Sequence, residues 1–372
     1  MLKSSRMSRR TFLKTTAVVG AGLIAAQCGV GGGRKEGDIQ GITINYLGWE
    51  GYDYAGALKP LTEPNKITVN STYGGNNEEI FSKLKAGSEG QYDVVSIYHG
   101  TIAAMIENDL LQPIDTSRLA HWNDILEAFR NQPWQVKDGK VFSFPFTWGN
   151  TPCAYNPEFV PNGIESWNDL KKPEFKDRLV ILDESTQELD LALITVGVDI
   201  SRLVTKDELQ KAKEWYKGVK ANARAIVPNY GEMADMLARK EAWLTAGVWV
   251  AVVGWAAEKG VTLKVTTPKE GTYGWCDNYV IPKGANLDAA YAFINQMTSP
   301  EGQAELSKYL NQQMTNKKVV PLLSPEMQKD YENVEEQLKK TPFPPTAPQS
   351  SDDPNIATYP DYISAWEEIK TS

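Results

Sequence analysis

Between residues 42 and 97 the chain alternates extended and helical patterns in a fixed order. That order limits the possible folds more than any other feature. Ile42–Tyr46 alternates apolar and polar residues and reads as a strand, Ile67–Ser71 as a second, and Asp93–Ile97 as a third, buried one. A helix is expected after the loop Gly48–Tyr52. Asn77–Lys85 is helical, with Ile80, Phe81 and Leu84 on one face and Asn77 as candidate N-cap. A β-α-β-α-β order implies a parallel sheet covered by helices on both faces. In such sheets ligands sit beyond the C-terminal ends of the strands. Trp49, Glu50, Tyr52, Ser96, Tyr98 and His99 then share one rim, with Tyr98–Gly100 as the loop after the third strand.

The 372 residues exceed one ordinary core and suit two lobes. Further along, 143–155 and 271–282 are extended, Leu179–Leu182 is a strand ending at Asp183-Glu184, and Ser166 starts a helix. Residues 206–221 form an amphipathic helix, and Trp243–Trp255 reads as a buried strand running into a helix. Leu287–Met297 is helical, and Ser299 caps another helix with Pro300 at its first position. Residues 341–354 are a Pro/Ser/Asp-rich loop, and Asp361–Lys370 is a last helix.

Residues 1–27 carry Lys3, Arg6, Arg9, Arg10 and Lys14 and no acid, and an uncharged apolar stretch runs from Thr15 to Ala26. A basic segment before an apolar one too short to span a bilayer is a signal peptide. Arg9-Arg10 followed by Phe12 and Leu13 resembles the twin-arginine export signal. Cys28 resembles the acylated cysteine of bacterial lipoproteins, and 28–38 would be a glycine-rich tether. The net charge is −8; loss of five cationic residues with the signal leaves −13. So acidic a body argues against nucleic acid and anionic membrane as partners and agrees with a cationic ligand.

Several segments, in this order and spacing, resemble the periplasmic spermidine/putrescine-binding proteins of ABC importers. They include Trp49-Glu50-Gly51-Tyr52, Gln91–Val95, Pro145–Gly149, Ser166–Leu170, Pro173–Lys176 and Trp275-Cys276-Asp277. The resemblance implies an α/β, two-lobe periplasmic-binding-protein-like fold of class II, each lobe a parallel-rich sheet flanked by helices, joined by a two-segment hinge. It implies a first lobe of 39–150 and 276–318 and a second of 151–275 and 319–372. It also implies a ligand site of Trp49, Glu50, Tyr52, Ser96, Tyr98, Asp183 or Glu184, Trp249 (or Val248), Trp275 and Asp277. Gln187 stands where the family often has a second carboxylate, and Gln313 near a position that is often Tyr. The implied partners are the membrane subunits of an importer, and the implied state is a monomer.

These residue types suit an amine. Ammonium groups taken out of water need carboxylates or ring faces, and methylenes need flat apolar walls. In an extended strand, Trp275 and Asp277 face the same side and put a ring beside a carboxylate. An amino-acid ligand would need Arg or Lys in these loops, and none is there. Another cationic or neutral solute, such as a quaternary amine or a sugar, is the alternative. An enzyme is a third reading. It finds two His, His99 and His121, and no nucleophile elbow, Walker loop, dinucleotide fingerprint or metal-spaced Cys/His cluster. No catalytic residue, cofactor or metal is expected. His99 is expected as a hydrogen-bonding wall residue. In the implied fold Cys153 and Cys276 each fall in a hinge crossing, and a disulfide between them is expected if the crossings align.

Overall fold

The computed structural model describes residues 37–372 except 88, 330 and 333. The chain separates into two units, Met1–Asp38 and Ile39–Ser372. The expected signal peptide, Cys28 and the tether up to residue 36 lie outside the described residues.

The chain opens with β1 (Thr43–Gly48), α1 (Ala55–Asn65), β2 (Thr68–Tyr73), α2 (Asn77–Lys85), β3 (Val94–Tyr98) and α3 (His99–Glu107). β1 pairs in parallel with β2 and with β3, so Gly48, Tyr73 and Tyr98 end at one rim. β3 is buried along its whole length, and α2 buries Ile80, Phe81 and Leu84 as the spacing requires. Two expectations change here. The cap of α2 is Asn76, whose side chain accepts from the Glu79 N–H at 2.8 Å, because Asn77 is drawn toward Glu184. The expected loop Tyr98–Gly100 is the first turn of α3, which starts with no intervening residue.

A short hairpin, β4 (Val136–Lys137) and β5 (Lys140–Val141), precedes β6 (Ser143–Asn150) and β7 (Cys153–Tyr155). Then come β8 (Leu179–Leu182), α4 (Ser185–Thr195), α5 (Lys206–Lys220), β9 (Ala223–Val227), α6 (Tyr230–Ala238), β10 (Leu244–Thr245), α7 (Ala251–Glu258) and β11 (Lys264–Thr266). The return runs through β12 (Gly274–Val280), α8 (Leu287–Thr298), α9 (Pro300–Leu310) and β13 (Gln313–Met314). It ends with α10 (Pro325–Lys329), α11 (Val334–Lys340) and α12 (Tyr359–Thr371). The helix expected at Ser166 is one 3-10 stretch, Trp167–Lys171, under a Ser166/Asp169 capping box.

Two sheets result. One has the order β13-β6-β12-β3-β1-β2 and the other β11-β7-β10-β8-β9. β6 and β12 run antiparallel with Gly274 opposite Asn150; β6 leads on to β7, and β12 follows β11. These are the two crossings between the sheets. α12 packs Tyr362, Trp366 and Ile369 into the core around Trp167, Leu189 and Tyr216. Residues 341–358, which hold no helix or strand, run from Phe343 beside the larger core to Ala347 and Ala357 in the smaller one.

Candidate ligand-binding site

At the strand ends lies a cavity of about 30 Å³, lined by Trp49, Tyr52, Tyr98, Thr151, Gln187, Tyr230, Trp249, Trp275 and Asp277. Trp49 and Tyr52 come from the loop after β1, and Tyr98 ends β3. Thr151, Trp275 and Asp277 belong to the crossings. Gln187 sits in the first turn of α4, Tyr230 begins α6, and Trp249 precedes α7. The rings form a continuous wall: Tyr52 lies 5.7 Å from Trp249, Trp249 5.8 Å from Tyr230, and Tyr230 6.1 Å from Trp49. A volume near 30 Å³ is about that of one water.

Asp277 is the one carboxylate lining this cavity among the described residues. The Tyr52 hydroxyl donates to its Oδ2 at 2.5 Å. Burial pushes its carboxyl up to about 7, and the Tyr52 bond offsets part of the rise. Alternation along β12 aims Trp275 and Asp277 into the cavity as expected, while Cys276 turns to the opposite face, fully buried.

The supporting contacts are specific. Trp275 donates from Nε1 to the Asn150 carbonyl at 3.0 Å and lies against Gly149, where an added Cβ would come within 2.6 Å of the indole. Trp249 donates to Gln312 Oε1 at 2.6 Å, and Gln312 in turn donates to Thr147. Trp249 rather than Val248 therefore faces the cavity. Gln312, the neighbour of Gln313, is the residue that holds its indole. Ser96 does not reach the cavity. Its Oγ pairs with the Tyr46 hydroxyl at 2.5 Å and accepts from the Trp49 N–H at 3.2 Å, so it holds the first loop in place. His99 is no wall residue either. Its Nδ1 accepts from the Cys276 N–H, which leaves the proton on Nε2 facing the Pro344 carbonyl at 3.1 Å. Burial lowers its imidazolium to about 4, so it is neutral.

Three of the expected acids lie elsewhere. Glu50 is exposed in an outer groove with Tyr73, Glu79 and Asn229, behind Trp49. Asp183 accepts from Trp366 Nε1 at 2.7 Å and Lys370 Nζ at 3.0 Å, which ties β8 to α12. Glu184 is 1 % exposed and accepts from the Asn77 N–H at 3.0 Å, from the Asn77 amide and from Thr186 Oγ1. In return Glu78 accepts from the Ser185 N–H at 3.2 Å and from its hydroxyl at 2.6 Å. Each of two facing helices, α2 and α4, is thus capped by a glutamate from the other. Burial, and then the Glu78 charge, raises the Glu184 carboxyl well above its usual range.

Residues 56–333 match the sequence profile of the bacterial extracellular solute-binding proteins. The chain belongs to this family. Among its relatives, the spermidine/putrescine-binding periplasmic protein of Salmonella typhimurium is 30% identical over 292 residues, which span 77% of this chain and 82% of the relative. A putrescine-binding periplasmic protein of Pseudomonas aeruginosa is 26% identical over 81% of this chain and 86% of its own. The crystal structure of a spermidine/putrescine ABC transporter substrate-binding protein from Streptococcus pneumoniae superimposes with a TM-score of 0.69 at 26% identity. It covers 88% of this chain and 98% of that one. Residues 6–26 match the twin-arginine translocation signal, so this solute-binding protein is exported. Like these relatives it is a binding protein and not an enzyme.

Tyr230 and Thr151 in this solute-binding protein's cavity went unassigned in the sequence. Tyr230 had a readable signal: it follows a strand and an Asn229 cap that accepts from the Glu232 N–H, which puts it at a strand's C-terminal end. Thr151 had none. The expected Cys153–Cys276 bridge does not form. The register sets Cys276 opposite Trp148 and Cys153 opposite Thr266, and both thiols are free and buried. Among the described residues no cluster of His, Cys, Asp and Glu could hold a metal, and no helix is long and apolar enough to cross a membrane.

Proposed function

We propose that this chain captures an amine of the polyamine type between two lobes and delivers it to the membrane subunits of an ABC importer. The observation that carries this reading is Asp277, a buried carboxylate in a cavity walled by indole and phenol rings. An ammonium there would have one ion pair and several ring faces. Ring contacts contribute about 0.5–2 kcal/mol each. The ligands named for the spermidine/putrescine- and putrescine-binding relatives agree with it.

The lobes in this reading are 39–150 with 276–318, and 151–275 with the tail. Tyr331 accepts from the Met314 N–H at 2.7 Å, and the Phe343 ring lies 5.6 Å from Phe129 and 6.4 Å from Trp134, which favours moving the tail's boundary from 319 to about 344. The mature protein acts as a monomer, anchored through an acylated Cys28 at the end of its tether. The test is thermal unfolding of the ligand-free mature protein with spermidine, putrescine, simple sugars and quaternary amines. A ligand bound only by the folded state raises the transition by mass action, about 2.7 kcal/mol at a hundredfold excess over Kd. Spermidine or putrescine should raise it. A rise with sugars and none with amines would reject the proposal.

A further inference from the structure

The cavity offers its ligand one negative charge. The other acids nearby are already engaged. Glu188 accepts from the Tyr216 hydroxyl, Asp190 is reached by the Tyr362 hydroxyl at 3.5 Å, and Glu184 and Asp183 are held by the partners described above. None of these lines the cavity.

Away from Asp277 the polar groups are uncharged, and several can donate. The Gln187 carbonyl accepts from the Tyr230 hydroxyl at 3.0 Å, which leaves its NH₂ to meet a ligand. The Tyr98 hydroxyl and Trp49 Nε1 are buried without hydrogen-bond partners, on residues 2 % and 8 % exposed that both line the cavity. An indole N–H donates only. A buried donor left without an acceptor costs about 1–3 kcal/mol. A second ammonium could donate to a hydroxyl such as that of Tyr98, but no second carboxylate lines the cavity to offset its desolvation, which costs several kcal/mol. A carboxylate end would need a cation, and among the described residues no Lys or Arg lines the cavity.

We propose that the site selects an amine with a single positive charge and an uncharged oxygen acceptor at its other end, the chemistry of an N-acylated diamine. The ammonium pairs with Asp277, the chain lies along the rings, and the carbonyl oxygen accepts from Gln187 and its neighbouring donors. The proposal rests on the amine-binding reading above and narrows it.

The experiment is calorimetric titration of the mature protein and of its Gln187→Glu variant with N-acetylputrescine, putrescine and spermidine. The wild type should bind N-acetylputrescine at least about tenfold more tightly than putrescine, the ratio that one modest polar contact supplies. Gln187→Glu restores a second carboxylate and should reverse that order. If the wild type binds putrescine or spermidine as tightly as N-acetylputrescine, the single-charge proposal is overturned while the amine reading stands. If none of the three binds a protein that still melts cooperatively, the amine reading falls with it. The wild-type ranking decides the question even if the variant does not fold.

Discussion

Asp277 and Glu184 are both almost fully buried acids, both near the strand ends, and both expected from the sequence to touch ligand. Their surroundings differ. Asp277 receives one hydrogen bond, from Tyr52, and opens onto a cavity. Glu184 is occupied by Asn77 and Thr186 and lies beside Glu78, at a junction where α2 and α4 cap each other. One carboxylate keeps lone pairs facing free volume, and the other is used to join two parts of the chain. Burial of an acid therefore does not by itself mark a ligand site.

The comparison breaks most directly at Asp277. Asp277→Asn should weaken binding of a cationic amine by about a hundredfold or more, since removing one partner of a buried pair costs about 3–5 kcal/mol. Titration calorimetry reads this, and an unchanged Kd would mean that the rings alone carry the cation. The next effect is pH. The Asp277 carboxyl lies near 7 before ligand arrives, so ammonium binding needs it to lose its proton. Affinity should rise as pH climbs through 7, fall about tenfold per pH unit well below it, and level off above. The ligand-free protein carries the opposite linkage. A carboxyl raised in the folded state stabilises it below the ordinary carboxylate range, and that contribution is lost as pH rises through about 7.

At the other acid, Glu184→Gln keeps an oxygen for Asn77 and removes the like charge beside Glu78. Ligand affinity should change less than about threefold. The unfolding temperature should fall less between pH 5 and pH 9 than in the wild type, because Glu184 is also raised by burial and loses its contribution with rising pH. A large loss of affinity would instead return Glu184 to the ligand site. The smallest effect belongs to Asp183→Asn. Its partner Lys370 is partly exposed, so the ion pair is worth about 0.2–1 kcal/mol, and amine affinity should not move.

What the sequence could reveal follows the range of the interactions. The first three strands, the loop after β1 and the pairing of Trp275 with Asp277 rest on patterns within one segment, and they were legible. The direction of Glu184, the displacement of the α2 cap from Asn77 to Asn76 and the separation of Cys153 from Cys276 depend on partners about 100 residues away. Periodicity carries no information about those partners. Ser96 shows the same limit at shorter range. Its place on the rim was correct, yet Tyr46 and the Trp49 backbone already use its hydroxyl.

The tail around Phe343 gives the crossings a mechanical property that two strands alone would lack. The Gly274 N–H donates to the Pro342 carbonyl at 2.8 Å, and two residues on, His99 links the Cys276 backbone to Pro344. From there the chain passes through Ala347 to α12 in the smaller core. Two ribbons side by side can both bend and twist. A third cord fastened to one of them at two points adds resistance to torsion, since it cannot shear past the strand that holds it. A nick in the exposed stretch 350–355 would cut that cord while leaving both ribbons whole.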